Sequence, residues 1–324
     1  MPKPVRWGVI GAANFAREQM APAIHMARGA ELFALATSDD AKAEGFRDFA
    51  PNLKVHASYE ALLADPEVEA VYIPLPNHLH LEWSLKAVEA GKHVLTEKPM
   101  AMHASEFDRL IEARDRSGLL VAEAYMIVHH PQWIRARELV QGGTIGKLVH
   151  VDAAFSYHLL DMGNIRNRPE TGGGSLPDIG VYTFGSTRFV SGEEPEAVDH
   201  AQVRRENGVD VFAGIWARFP SFTYSGFTSM RMFPRQEVVF HGEEGVLRVG
   251  WGPFNANLHD LAQLSIENTG NARTFERWPD VNHYVLQVEN FGRTLREGAP
   301  YPCPLEFSRG TQRMIDMVLE AEGR

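Results

Sequence analysis

The sequence predicts an α/β chain in two parts, a doubly wound parallel sheet followed by an α+β domain with a mostly antiparallel sheet. The first observation behind this is the alternation of short apolar runs with helical patterns over residues 1–124, as expected of βαβ units. The second is a change after Ala124, where β-prone runs follow one another with little helix between them. The third is length. A chain of 324 residues exceeds what one hydrophobic core usually serves, so two domains are expected, 1–124 and 125–324.

Taken in order, strands are expected at Val5 to Ile10, Glu31 to Thr37, Val68 to Ile73, His93 to Thr96 and Leu119 to Ala124. Helices near 16–28, 41–49, 58–64, 79–90 and 104–117 fall between and around them. Gln132 to Gln141 reads as one more helix, stopped by Gly142-Gly143. Strand runs then follow at Val149 to Ser156, Val211 to Phe219, Phe222 to Ser229, Glu237 to His241 and Val246 to Val249, and two helices near 284–296 and 307–321 close the chain.

Composition narrows the class of partner. A net charge of −10, with no Lys/Arg cluster interleaved with aromatics, argues against nucleic acid. No apolar run reaches the roughly 20 residues that span a bilayer, so no membrane partner is expected. Met1-Pro2-Lys3-Pro4 leads straight into the first strand and leaves no room for a signal peptide. Cys303 is the single cysteine, so a reducing compartment, by default the cytoplasm, is expected. His78 and His80 lack the spacing of metal ligands, and no metal is expected.

Five segments carry chemistry. Gly11-Ala12-Ala13-Asn14-Phe15 follows a strand and opens a helix, the context in which backbone N–H groups approach a dinucleotide pyrophosphate; a ligand-free tight turn would tolerate the same residues. Ser38-Asp39-Asp40 ends the second strand about 20 residues further on, where an acid accepts from the adenosine ribose and repels a 2′-phosphate. Asp39 therefore favours NAD over NADP, while Asp40 is expected to cap the next helix. Pro74-Leu75-Pro76-Asn77 stiffens the turn after the third strand, with Asn77 either capping the next helix or touching cofactor, and His80 just beyond. Glu97-Lys98-Pro99 puts two charges at the carboxyl end of a buried strand, where doubly wound sheets bind ligands. Finally, Gly172-Gly173-Gly174 allows close backbone approach, and a helix after Pro177 would put Asp178 and Tyr182 on one face.

Together these segments resemble the Gfo/Idh/MocA family of sugar and polyol oxidoreductases, nearly end to end. The likeness is closest to the branch of glucose-fructose oxidoreductase, D-xylose dehydrogenase and dimeric dihydrodiol dehydrogenase. It runs through Tyr72 to His80, Ala90 to Pro99, Asn164-Ile165-Arg166 leading to Gly172-Gly173-Gly174, His241 to Gly245 and Gln287 to Phe291. The resemblance implies a Rossmann domain joined to an open, mostly antiparallel sheet domain that binds substrate and is often used for oligomerisation, hence a homodimer or homotetramer. It implies Lys98 at the nicotinamide and the substrate hydroxyl, Tyr182 as the family's tyrosine and Asp178 as the acid that precedes it. Glu97, Lys98, Pro74, Leu75, Asn77 and His80 would join the glycine turn, Ser38 and Asp39 around an NAD(P) cofactor.

The implied reaction is hydride transfer between nicotinamide and a sugar, polyol or related cyclic alcohol. A phenol of ordinary pKa about 10 is rarely ionised at neutral pH, and a lysinium beside it lowers that value, so Tyr182 is the expected proton-transfer group and Lys98 its partner or the alternative base. Tyr125, Tyr157, Asn164 and Arg166 are expected on the substrate side, with Tyr157 alternatively packing on a strand and Arg166 alternatively holding a loop. Two departures from the branch stand out. Ile127-Val128 replaces a polar pair, and Asp39 replaces an arginine suited to NADP, although Arg17 or Lys42 could reach a 2′-phosphate. The alternatives are a non-catalytic cofactor-binding regulator, or an enzyme whose tightly held cofactor cycles between two sugars.

Overall fold

The computed structural model describes residues 3–258, 260–270 and 272–322. Its chain divides into two compact units, one formed by the chain up to Met126 with Asn282–Ser308 and the other by Ile127–Val281 with the chain from Arg309 on. The first crossing lies two residues beyond the expected cut, but the expected single cut becomes three. The cause is a late helix, His283–Glu297, whose buried Phe291 meets Trp7 of the first strand at 4.8 Å between ring centroids, while Tyr284 meets Phe15 at 5.7 Å.

The first unit is built on a six-stranded parallel sheet in the order β3-β2-β1-β4-β5-β6, from Val5–Ile10 (β1), Ala30–Ala36 (β2), Lys54–His56 (β3), Ala70–Ile73 (β4), His93–Glu97 (β5) and Val121–Ala124 (β6). This is the dinucleotide-binding strand order, with its switch point between β1 and β4. β4 and β6 are buried at every position and β1 at all but one, as strands covered on both faces must be. Five helices connect these strands: Ala21–Met26 (α1), preceded by a π-turn at Ala16–Met20, Asp40–Arg47 (α2), Tyr59–Leu63 (α3), His80–Glu89 (α4) and Phe107–Ser117 (α5). Ile10, Leu62, Val71, Ile73, Trp83, Val94, Phe107 and Leu110 pack into one core.

In the second unit Pro131–Gln141 (α6) precedes an eight-stranded sheet. Its strands are Leu148–His158 (β7), Ala197–Glu206 (β8), Val209–Arg218 (β9), Thr223–Ser229 (β10), Arg231–Gly242 (β11), Gly245–Gly250 (β12), Gln263–Asn268 (β13) and Arg273–Arg277 (β14), in the order β14-β13-β12-β11-β7-β10-β9-β8. All neighbouring pairs are antiparallel except β7 with β10. Val181–Ser191 (α7) follows a π-turn at Leu176–Gly180, and His283–Glu297 (α8) and Leu305–Glu320 (α9) complete the chain, α9 dividing between the units after Ser308. Among the described residues no helix is long and apolar enough to cross a membrane.

Candidate active site

In the first unit the candidate residues gather at the carboxyl ends of β1, β2, β4 and β5. Gly11 has φ +100°, and its amide donates to the Ala36 carbonyl at 3.1 Å, which turns the chain sharply off β1. Ala12 and Ala13 are half-buried, and Asn14 and Phe15 lie exposed at the start of the helical turn. A small-residue turn leading into a helix at the switch point of this strand order fits a dinucleotide. Ser38 is exposed beside it. Asp39, rather than Asp40 as expected, caps α2: its Oδ1 accepts from the Lys42 amide at 3.2 Å, and Oδ2 lies 3.9 Å from Lys42 Nζ. Asp39 has the extended backbone that a cap position requires, whereas Asp40 already begins the helix.

Glu97 and Lys98 are half-buried at the end of β5. The Tyr72 hydroxyl donates to Glu97 Oε1 at 2.7 Å, and the Lys98 amide to Oε2 at 3.3 Å. Burial pushes the Glu97 carboxyl up, against the opposing pull of the Lys98 charge and the Tyr72 bond. Behind this segment, Glu123 accepts from the Met100 amide at 2.8 Å. His80, expected at the cofactor, stands as a strut in the structure. It is fully buried, its Nδ1 lying 2.7 Å from the Pro99 carbonyl and its Nε2 2.6 Å from the Leu75 carbonyl. It thus ties the turn of Pro74 and Leu75 to the segment of Lys98. A 3₁₀ turn begins at Asn77 with Pro76 in the cap position, so the capping alternative for Asn77 falls away. Tyr125, expected on the substrate side, is 1% exposed with its ring 6.0 Å from Phe307.

In the second unit the structure brings Tyr157, Arg166 and Asp178 onto one atom. The Tyr157 hydroxyl donates to Asp178 Oδ2 at 2.6 Å, and Arg166 Nε meets the same oxygen at 2.9 Å. Asp178 holds Arg166 firmly in its charged form, and burial together with the Asp178 charge pushes the Tyr157 phenol far above its ordinary value. In this arrangement Tyr157 is the donor to Asp178. Of the two alternatives for Arg166 the ion pair is present, with the side chain still partly exposed. Asn164 caps the short turn that carries Arg166, accepting from its amide at 3.1 Å. Tyr182 stands at the start of α7, its ring 5.6 Å from Phe155 and 5.4 Å from Phe254, and these aromatic neighbours fix its orientation. The charge of Arg166 also feels Tyr182, so the four side chains form one electrostatic cluster.

Sequence reasoning missed three supports. Tyr72 read as an ordinary strand residue, and Arg231, which meets Glu206 at 2.8 Å and Asn167 Oδ1 at 3.0 Å, gives no sequence signal for its hold on the Asn164–Asn167 turn. Asp210, just after the Asn207-Gly208 turn, looks like turn chemistry, yet it is buried and bonded to Ser175 and Leu176.

Comparison with known proteins agrees with this architecture. Residues 5–125 match the model described as an oxidoreductase family with NAD-binding Rossmann fold, and residues 133–248 match the GFO/IDH/MocA C-terminal domain. An uncharacterized oxidoreductase of Rhizobium meliloti is 36% identical over 99% of this chain and 97% of its own. A D-xylose 1-dehydrogenase (NADP(+)) of Haloferax volcanii is 32% identical, covering 97% and 96%. Among solved structures, a 3-ketoreductase from Actinomadura kijaniata in complex with NADP and TDP-benzene superimposes with a TM-score of 0.91 at 28% identity, covering 99% of this chain and 98% of that one. The chain is a member of the Gfo/Idh/MocA oxidoreductase family, with an NAD(P)-binding Rossmann domain followed by the family's C-terminal domain.

Proposed function

We propose that this enzyme interconverts a sugar, polyol or related cyclic alcohol with its ketone or lactone, Tyr182 moving the hydroxyl proton and Lys98 acting on the same hydroxyl. The nicotinamide, when bound, supplies or accepts the hydride. In oxidation the substrate hydroxyl gives its proton to Tyr182 Oη, and in reduction the phenol returns it to the developing alkoxide. A cation acting on the same hydroxyl would favour loss of its proton, each unit of pKa lowering corresponding to about 1.36 kcal/mol. Asp178, itself held by Tyr157 and Arg166, fixes the helix start that carries Tyr182.

One observation carries the reading. The Actinomadura ketoreductase has been solved with its lysine or its tyrosine replaced at two positions whose separation along the chain equals that of Lys98 and Tyr182. Asp39 gives NAD the advantage over NADP, since its carboxylate repels a 2′-phosphate even with Lys42 nearby. The second unit is the substrate domain and the oligomerisation surface, with Trp216 45% exposed on the eight-stranded sheet. Sedimentation of the purified chain as a dimer or tetramer is expected, and a monomer would remove that part. The substrate class is tested by screening aldoses, polyols, keto-sugars and a TDP-linked keto-sugar with both cofactors. Failure of all of them, with cofactor bound, would overturn the assignment.

A further inference from the structure

The helical segment carrying Asp178 and Tyr182 begins without a cap of its own. Ser175 occupies the N-cap place, but its backbone is already helical and its side chain makes no capping bond. Its hydroxyl turns away, donating to Asp210 Oδ2 at 2.6 Å and meeting Thr228 Oγ1 at 2.9 Å. The orphan amide at the helix start, that of Leu176, donates to the same Asp210 Oδ2 at 2.7 Å. A carboxylate from β9, 34 residues away in sequence, therefore caps this helix and meets the positive end of its dipole.

The other oxygen of Asp210 shapes the glycine turn. A Cβ added at Gly174, where φ is +135°, would lie 2.1 Å from Asp210 Oδ1, so only glycine fits there. The same turn is docked on the backbone of Arg166: the Gly174 amide donates to the Arg166 carbonyl at 3.0 Å, and a Cβ at Gly173 would come within 2.5 Å of that carbonyl oxygen. Asp210 thus grips a turn that bears Arg166 on one side and the Asp178 and Tyr182 helix on the other. It is 7% exposed, and burial pushes its carboxyl up while the Ser175 and Leu176 bonds hold it down.

We propose that Asp210 is a positioning residue for the reaction, a remote helix cap that sets where Tyr182 and the Arg166–Asp178 pair stand relative to each other. This rests on Tyr182 being the reacting phenol, but the geometry it asserts is readable without any substrate. The test uses the full chain with ¹³Cζ-labelled tyrosine, the Tyr182 resonance being assigned by its loss in Tyr182→Phe. Asp210→Ala, measured well below its melting temperature, is expected to move the Tyr182 resonance from its wild-type position while the affinity for NADH, read by fluorescence, stays unchanged. Asp210→Asn keeps an oxygen that accepts from both Ser175 and Leu176, and is expected to return the resonance to near its wild-type position. If Asp210→Ala does not fold, Ser175→Ala, which removes one of the two donors, is read in the same way and is expected to move the resonance. A folded Asp210→Ala, or in its absence a Ser175→Ala, with Tyr182 at its wild-type position would overturn the proposal. A wild-type chain that turns over no sugar, yet shows the shift in Asp210→Ala, would defeat the proposed function and leave the positioning role standing.

Discussion

Tyr157 and Arg166 converge on a single oxygen of Asp178, the phenol at 2.6 Å and the guanidinium nitrogen at 2.9 Å. On the proposed function the two tyrosines do different work: the Tyr157 proton is held on Asp178, and Tyr182 is the phenol expected to exchange its own. Tyr157→Phe is expected to keep the alkaline limb of the pH–rate profile in place and to lower kcat by roughly tenfold, the worth of one hydrogen bond to a charged group. Arg166→Met removes this guanidinium from Asp178 and is expected to cost more, roughly a hundredfold in kcat. Its loss of stability, about 1–2 kcal/mol by thermal unfolding, is moderated because the Arg166 side chain is 40% exposed. A Tyr157→Phe enzyme that loses its alkaline limb would reverse the assignment of the two phenols.

His80 gives the first unit a sensitivity to acid. Burial pushes its imidazole from 6.5 down to about 4, against the two carbonyl contacts that favour the proton. The unfolded chain takes up the proton first, so the stabilising contribution is complete above pH about 6.5 and is lost as pH falls from there toward about 4. Its size is at most roughly 3 kcal/mol. Urea unfolding at pH about 7.5 and about 4.5 should show a steeper loss for the wild type than for His80→Gln. Equal losses would mean that His80 does not titrate in this way.

Cofactor choice is expected to follow Asp39. Asp39→Ser retains a capping side chain for α2 while removing the charge. In calorimetric titrations the wild type should prefer NADH, and Asp39→Ser should gain about tenfold or more in affinity for NADPH. A wild type that binds NADPH tenfold tighter than NADH would contradict the role given to this carboxylate.

The parallel sheet was legible because strands such as β1 and β4 are mostly apolar runs. Four strands escaped: the short edge strand Lys54–His56, and Ala197–Glu206, Gln263–Asn268 and Arg273–Arg277 toward the margins of the second sheet. Their solvent-facing positions carry charges, so neither an apolar run nor a clean alternation survives in Arg204-Arg205-Glu206 or Arg273 to Arg277. The candidate residues were visible where chemistry demands an odd residue type, as at Lys98 and in the glycine run before Asp178. Their supports were not, because Tyr72, Asp210 and Arg231 reach their partners across sequence separations that no local pattern records.

Tyr182→Phe and Lys98→Met, assayed with the best substrate from the sugar screen alongside cofactor titration, test the central claim most directly. Both variants are expected to bind nicotinamide cofactor as the wild type does and to lose roughly a hundredfold or more in kcat. Near-normal turnover in either variant would contradict the account.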